Sequence, residues 1–299
     1  MPADATAGQA RMSRRELLRW RAFRAVLRLR QWSALPTASR RLLPDFLVVG
    51  GQRCGTTSLY RYLDQHPSVM FPRLTKGTHW FDEEYQRSEA WYRSNFPLDK
   101  ARRAREAETG GPVVVGEACP YYMFHPAVPA RIAEHLPDVK VVAILRDPVA
   151  RAWSAYHHEF RRGFETLPFE AALDAEDERL AGAEEELTSG PTRHHSHQHH
   201  AYVARGQYAE QIERLWKQLG PDRCLILYTA DLERDPSAVM QQVHEFLGIP
   251  PRPTPSTDRW NKQDTNALPP AIEARLTEAF AASDQWLADH LEEPPPWRT

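Results

Sequence analysis

Four short runs of consecutive apolar residues interrupt a chain whose other hydrophobic positions recur at helical spacing. Phe46–Val49, residues 113–116 (VVVG), Val139–Leu145 and Cys224–Tyr228 have the length and composition of strands buried on both faces. A helix pattern follows each of them. The first run breaks at Gly50-Gly51 and turns helical from Gly55 through Ser58, Leu59, Tyr60 and Leu63. The second meets the turn Ala118-Cys119-Pro120 and then Val128, Ile132 and Leu136. The third ends at Asp147-Pro148, a good N-cap and first helical residue, with Val149, Trp153, Tyr156 and Phe160 on one face. After the fourth, Asp235-Pro236 starts a helix through Val239, Val243, Phe246 and Leu247. Tyr208, Ile212, Leu215, Trp216 and Leu219 form a helix closed by Gly220-Pro221, and Ile272, Leu276, Phe280 and Leu287 form a last one. This alternation predicts an α/β protein with a mostly parallel central sheet flanked by helices in three layers. Residues 45–299 read as one domain, preceded by a basic helical extension over 1–44.

The turn between the first strand and its helix carries the first chemistry. In GGQRCGTTS, Gly51, Gln52, Arg53, Cys54, Gly55, Thr56, Thr57 and Ser58 form a glycine-bracketed turn into a helix start. Backbone N–H groups there can close on an anion, helped by the positive end of the helix dipole. The spacing is P-loop-like, but Thr56 stands where a nucleoside-triphosphatase has lysine. Arg53 is the nearest cation, so cleavage of a β–γ phosphate bond with magnesium is disfavoured. A purely structural turn is the alternative at this point. Arg146 and Ser154 flank a second strand-to-helix junction, and parallel strands bring such ends to one edge of a sheet. Their guanidinium fork and hydroxyl suit another phosphate. Two anion sites imply a ligand with two separated phosphate groups.

Charge and cysteine content narrow the classes. The net charge of −2 over 299 residues argues against a general nucleic-acid binder. Ten arginines nevertheless precede Pro44, against only Asp4 and Glu16. The segment from Arg11 to Trp32 has an apolar stripe through Trp20, Phe23, Val26 and Leu27. One reading lays it on the anionic inner face of a membrane. The plainer reading, favoured by the arginines interrupting the stripe, packs it across the domain. No run approaches a membrane span and no signal-peptide core is present. Cys54, Cys119 and Cys224 show neither zinc spacing nor a disulfide framework, which suits a reducing cytoplasm. The acidic stretch Asp174 to Glu186 reads as a solvated helix face. His194, His195, His197, His199 and His200 invite a metal-binding reading, but no cysteine or carboxylate motif at ligand spacing accompanies them; an acceptor-facing loop is the other functional reading.

Five segments in order resemble the sulfotransferases that use 3′-phosphoadenosine 5′-phosphosulfate (PAPS), most closely those of bacterial and heparan sulfate type. DFLVVGGQRCGTTSLYRYLDQHPSV is similar to their 5′-phosphosulfate loop, and LRDPVARAWSAY to their 3′-phosphate segment. KGTHWFDEEY, GEACPYYMFHP and RGQYAEQIERLW follow the same order, and DLERDPSAVMQQVHEFLGI extends the similarity, which spans about residues 45 to 290. The resemblance implies a P-loop-like fold, PAPS as co-substrate, no required metal, and a carbohydrate, glycolipid or other small-molecule acceptor. It also implies that Gly206 and Tyr208 lie near the nucleotide, with Asn261 and Lys262 the candidates for adenine.

The family's acceptor-side pattern resembles Lys-Glu-x-His-Phe-Phe-Asp. Lys76, His79, Phe81 and Asp82 match it, whereas Gly77 replaces the glutamate usually assigned as base. Histidine is well tuned to accept a hydroxyl proton near neutral pH. His79 is therefore the first choice, oriented by Asp82, with Glu83 or Glu117 as substitutes; a structural histidine packed by Trp80 and Phe81 is the alternative. Lys76 is expected at the sulfonate and Arg53 at the leaving phosphate. The competing functions are a triphosphate-dependent kinase and a nucleotide-binding relative without catalysis.

Overall fold

The computed structural model describes residues 14–72, 75–190, 192–253 and 267–298, without the side chains of 14–17 and 20. Asn261 and Lys262 fall outside the described residues. The apolar runs form a parallel sheet of β1 (Phe46–Gly50), β2 (Val69–Met70), β3 (Val114–Ala118), β4 (Lys140–Leu145) and β5 (Cys224–Tyr228). Their spatial order is β2-β3-β1-β4-β5. The edge strand β2 has only two residues, within the three-residue apolar run Val69-Met70-Phe71, which is too short to stand out as a strand in the sequence.

All five residues of β1 are buried, as expected of the strand at the middle of a sheet covered on both faces. It pairs with β3 from Phe46 opposite Gly116, and with β4 from Phe46 opposite Lys140 to Gly50 opposite Ile144. The strand order reverses on either side of β1. The carboxyl ends of β1, β3 and β4 therefore share an edge, and the crevice there is where such sheets bind ligands. At this edge the helices Thr56–Asp64 and Pro148–Arg162 begin. Asp147 caps the second, accepting from the Val149 amide at 3.0 Å, with Pro148 in the first turn.

Two readings of polar segments are corrected. Within the acidic stretch, Glu176 is buried and accepts the amides of Tyr202, Val203 and Ala204 at 2.8–2.9 Å. It pins the chain leading toward the helix Tyr208–Leu219 instead of facing water. The histidine run is a short helix, His195–His199, rather than an open loop. His197, His199 and His200 are buried there, and their rings meet the Tyr121 hydroxyl, the Glu159 carboxylate and the Phe164 carbonyl.

In the basic helix Arg14–Ala34, two residues of the apolar stripe face outward rather than packing across the domain. Phe23 and Val26 are exposed, as are Leu29 and Trp32, and the junction with the body includes a Gln31–Asn95 hydrogen bond and buried Ala34. No helix among the described residues is long and apolar enough to cross a membrane.

Candidate active site

Gly55 adopts φ +88°, a left-handed conformation that glycine enters without a Cβ clash, and it turns β1's loop into the following helix. The loop already uses some of its amides. Cys54 N–H donates to the Gly51 carbonyl at 3.1 Å, and Ser58 N–H to the Gly55 carbonyl at 2.9 Å. No hydrogen bond among the described residues claims the amides of Gly55, Thr56 and Thr57. The amides free for an anion are therefore fewer than the whole 51–58 turn offers.

Lysine is absent from the loop's sequence but present in its geometry. Lys76 Nζ reaches back to donate to Thr56 Oγ1 at 3.0 Å and Thr57 Oγ1 at 3.3 Å. Burial draws its pKa down to about 8, opposed by the neighbouring Cys119. An ammonium this poorly solvated gains a great deal from an arriving anion. Under the loop, Arg151 is fully buried with Nε and Nη1 unpartnered, leaving a positive charge beneath Gly51.

Arg53 sits at φ +75°, rare for a side-chain-bearing residue. Its Nε donates to Ser154 Oγ at 3.1 Å, and its carbonyl accepts from Arg146 Nη1 at 3.3 Å. Arg53, Arg146 and Ser154, from the loop, the end of β4 and the next helix, thus share one corner. Burial, then the nearby Arg146 and Arg161, lowers the Arg53 pKa, opposed by Cys54 and Glu159. Gln52 turns toward Glu159, donating at 2.6 Å, and accepts from Arg205 at 3.2 Å. Burial works against the Glu159 anion, but the His199 hydrogen bond and Arg162 outweigh it and hold that carboxyl at about 2.

Two expected nucleotide contacts are supports instead. The Tyr208 side chain is fully buried, and its hydroxyl donates to the Arg146 carbonyl at 2.9 Å while lying 3.5 Å from Cys54 Sγ. Cys54 points inward, with burial as the chief cause of its raised pKa. Together they tie the loop to the end of β4. Thr229, which the sequence does not single out, adds to this tie by donating to the Leu145 and Cys54 carbonyls at 2.9 and 2.7 Å.

Across the crevice, the His79 loop rests on Glu117. That carboxylate accepts the Thr78 amide and hydroxyl at 2.6 Å each, the Tyr122 hydroxyl at 3.0 Å and the Tyr92 hydroxyl at 2.7 Å. It is fully buried and its pKa is raised by burial despite these donors. With both oxygens engaged it cannot reach an acceptor hydroxyl, so its expectation as a substitute base is corrected to an anchor for the loop. Trp80 stacks on Tyr92 at 4.4 Å beside it. Gly77 is also dictated by packing: a Cβ there would lie 2.7 Å from the Ala118 carbonyl oxygen. The Ala118 amide bonds the Lys76 carbonyl at 3.0 Å, so the loop lies directly on the end of β3.

His79 stands on this platform at φ +58°. Its Nδ1 lies 3.0 Å from Asp82 Oδ2, so that an Nδ1–H donates to the carboxylate and Nε2 is the nitrogen left for other partners, and 42 % of the side chain is exposed. Burial pulls its pKa down, but Cys119 and Asp82 outweigh that and raise it well above 6.5. Glu83 lies 3.7 Å from Nδ1 and is engaged by Arg193 and Gln198. Cys119 Sγ is 3.4 Å from His79 Nδ1 and 3.5 Å from Asp82 Oδ2, making this trio a potential metal-ligand set.

A glycine turn at the edge of a parallel sheet, with cations from three segments beside it and a His–Asp pair on a neighbouring loop, places the chain among P-loop-like α/β proteins. The sulfotransferase domain family matches residues 43–285, and the chain belongs to that family. It is 32 % identical over 225 residues to the Homo sapiens bifunctional heparan sulfate N-deacetylase/N-sulfotransferase 3, covering 74 % of this chain and 24 % of that protein. It is 28 % identical over 223 residues to the Homo sapiens heparan sulfate glucosamine 3-O-sulfotransferase 6, covering 72 % and 56 %. The chain thus spans only part of the length of these curated relatives. The crystal structure of a sulfotransferase from Alicyclobacillus acidocaldarius superposes with a TM-score of 0.66 at 30 % identity, over 86 % of this chain and all of that one.

Proposed function

We propose that the protein transfers a sulfuryl group from PAPS to a hydroxyl, or with less support an amine, of a carbohydrate or glycolipid acceptor. The observation that carries this reading is the meeting of Arg53, Arg146 and Ser154 beside a cradle that Lys76 supplies with charge. One anion group suits the 5′-phosphosulfate and the other the 3′-phosphate. A triphosphate-dependent kinase would need the loop's lysine position, which Thr56 occupies. The likeness to proteins named for heparan sulfate supports a glycan acceptor.

In this reading the acceptor oxygen attacks sulfur in line as the bond from sulfur to the 5′-phosphate oxygen breaks. The acceptor proton passes to His79 Nε2, whose opposite nitrogen is held by Asp82. Charge gathers on the departing 5′-phosphate, where Lys76, Arg53 and the amides of Gly55, Thr56 and Thr57 supply preorganised donors. His79 must first lose its own proton to serve. Incubation with radiolabelled PAPS and desulfated heparan sulfate fragments tests the reading. Labelled glycan supports it; nucleotide binding with no transfer to any glycan or small hydroxyl acceptor would favour the non-catalytic alternative.

A further inference from the structure

His79, Asp82 and Cys119 carry three different donor atoms that converge at one point. Their separations are 3.0 Å for Nδ1–Oδ2, 3.4 Å for Sγ–Nδ1 and 3.5 Å for Sγ–Oδ2. Ligands around a tetrahedral zinc, with bonds of about 2.0 to 2.3 Å, stand roughly 3.3 to 3.6 Å apart. The trio therefore needs only a small expansion to hold an ion. Asp82 Oδ1 accepts the Glu83 amide at 2.5 Å, which fixes Oδ2 toward the other two donors. Asp82 and Cys119 are buried while the His79 ring reaches solvent, giving an ion a route in. This is the metal-competent group of such side chains among the described residues.

We propose that these three residues form an inhibitory site for a borderline-soft divalent cation, Zn²⁺ by its chemistry. A nitrogen, a sulfur and one carboxylate oxygen select against Mg²⁺ and Ca²⁺, which require oxygen ligands. On binding, the Cys119 thiol releases its proton to solvent and the thiolate ligates. The His79 imidazolium releases its Nδ1 proton to solvent and the metal takes that lone pair, so the remaining ring proton stays on Nε2, and the nitrogen that receives the acceptor proton is blocked. Lys76 and the loop keep their places, so donor nucleotide binding persists. The inhibitory half rests on the proposed sulfuryl transfer; metal binding does not.

Titration with Co²⁺ separates the two. One equivalent should give a thiolate-to-cobalt charge-transfer band that Zn²⁺ abolishes. Cys119→Ser should lose the band, and both Cys119→Ser and Asp82→Asn should bind Zn²⁺ at least tenfold more weakly, with thermal melting confirming that each variant is folded. No charge-transfer band in the unmodified protein, or Zn²⁺ affinity unchanged in folded Cys119→Ser, would overturn the site and assign any bound metal to other histidines. With the band present, Zn²⁺ should suppress turnover while leaving affinity for 3′-phosphoadenosine 5′-phosphate unchanged. Undiminished turnover at saturating Zn²⁺ would overturn the inhibitory role.

Discussion

The two walls of the crevice are built in different ways. The donor wall is mostly backbone: a glycine turn and two helix starts, each encoded within a dozen residues, with cations added at its rim. The acceptor wall is mostly side chain. His79 owes its position to Glu117, and Glu117 to Thr78, Tyr92 and Tyr122, which come from three separate segments. A backbone cradle tolerates changes in side chains as long as the turn survives. A platform held by one buried carboxylate does not, because its removal strands several donors at once.

The largest predicted effect strikes the acceptor wall alone. His79→Ala should lower turnover by about 10²- to 10⁴-fold, the usual contribution of a positioned acid or base, with nucleotide affinity unchanged. Steady-state kinetics beside calorimetry checks this, and a parallel loss of affinity would merge the two walls. Arg53→Ala should act on the donor side, lowering turnover by about 10²- to 10³-fold as the loss of a preorganised donor does. Glu117→Ala should cost at least ~3 kcal/mol of folding free energy, since Thr78, Tyr92 and Tyr122 would each keep an unsatisfied buried donor. Denaturant unfolding measures it, and a cost under 1 kcal/mol, the size of a single ordinary hydrogen bond, would mean that water replaces the carboxylate.

The subtlest effects are protonic and distinguish the walls by pH. Because His79 holds its proton above pH 6.5, activity should climb with pH along a limb lying above that value. Asp82→Asn should move the limb to lower pH by removing the anion that retains the proton. The same raised pKa makes the pair's contribution to stability fully present below about pH 6.5 and lost as pH rises through the folded value. On the donor wall, Lys76 is mostly neutral above its value of about 8, and an arriving phosphate should recharge it. Nucleotide binding just above pH 8 should therefore take up a proton, seen as a buffer-dependent calorimetric enthalpy and absent in Lys76→Ala.

This contrast also explains what was legible in the sequence. The four long strands, the P-loop-like turn and the Asp147-Pro148 helix start are local patterns, readable from neighbours a few positions apart. The pairing of His79 with Asp82 is local too, at three residues' spacing. Glu117 looked available because its partners, Tyr92 and Thr78, lie far away along the chain. Glu176 looked solvent-facing for the same reason: the amides of 202–204 that donate to it are brought there by tertiary packing, as is the Glu159 carboxylate that meets His199. Lys76 restores to the loop the cation missing at Thr56, a substitution across twenty residues that spacing within the loop cannot reveal. Gly77 has a simple cause, close approach to Ala118, that becomes visible only once the loop lies on β3.

The most direct test of the two-anion crevice is calorimetric titration with 3′-phosphoadenosine 5′-phosphate beside adenosine 5′-phosphosulfate and ATP, without magnesium, on the unmodified protein and Arg146→Ala. The account predicts a preference of at least about tenfold for the 3′-phosphorylated nucleotide, and a loss of ~1.5 kcal/mol or more of its binding in the variant, as for a hydrogen bond to a charged group. Equal affinity for nucleotides with and without the 3′-phosphate would contradict it, and Arg53, Arg146 and Ser154 would then form a structural corner with no part in donor recognition.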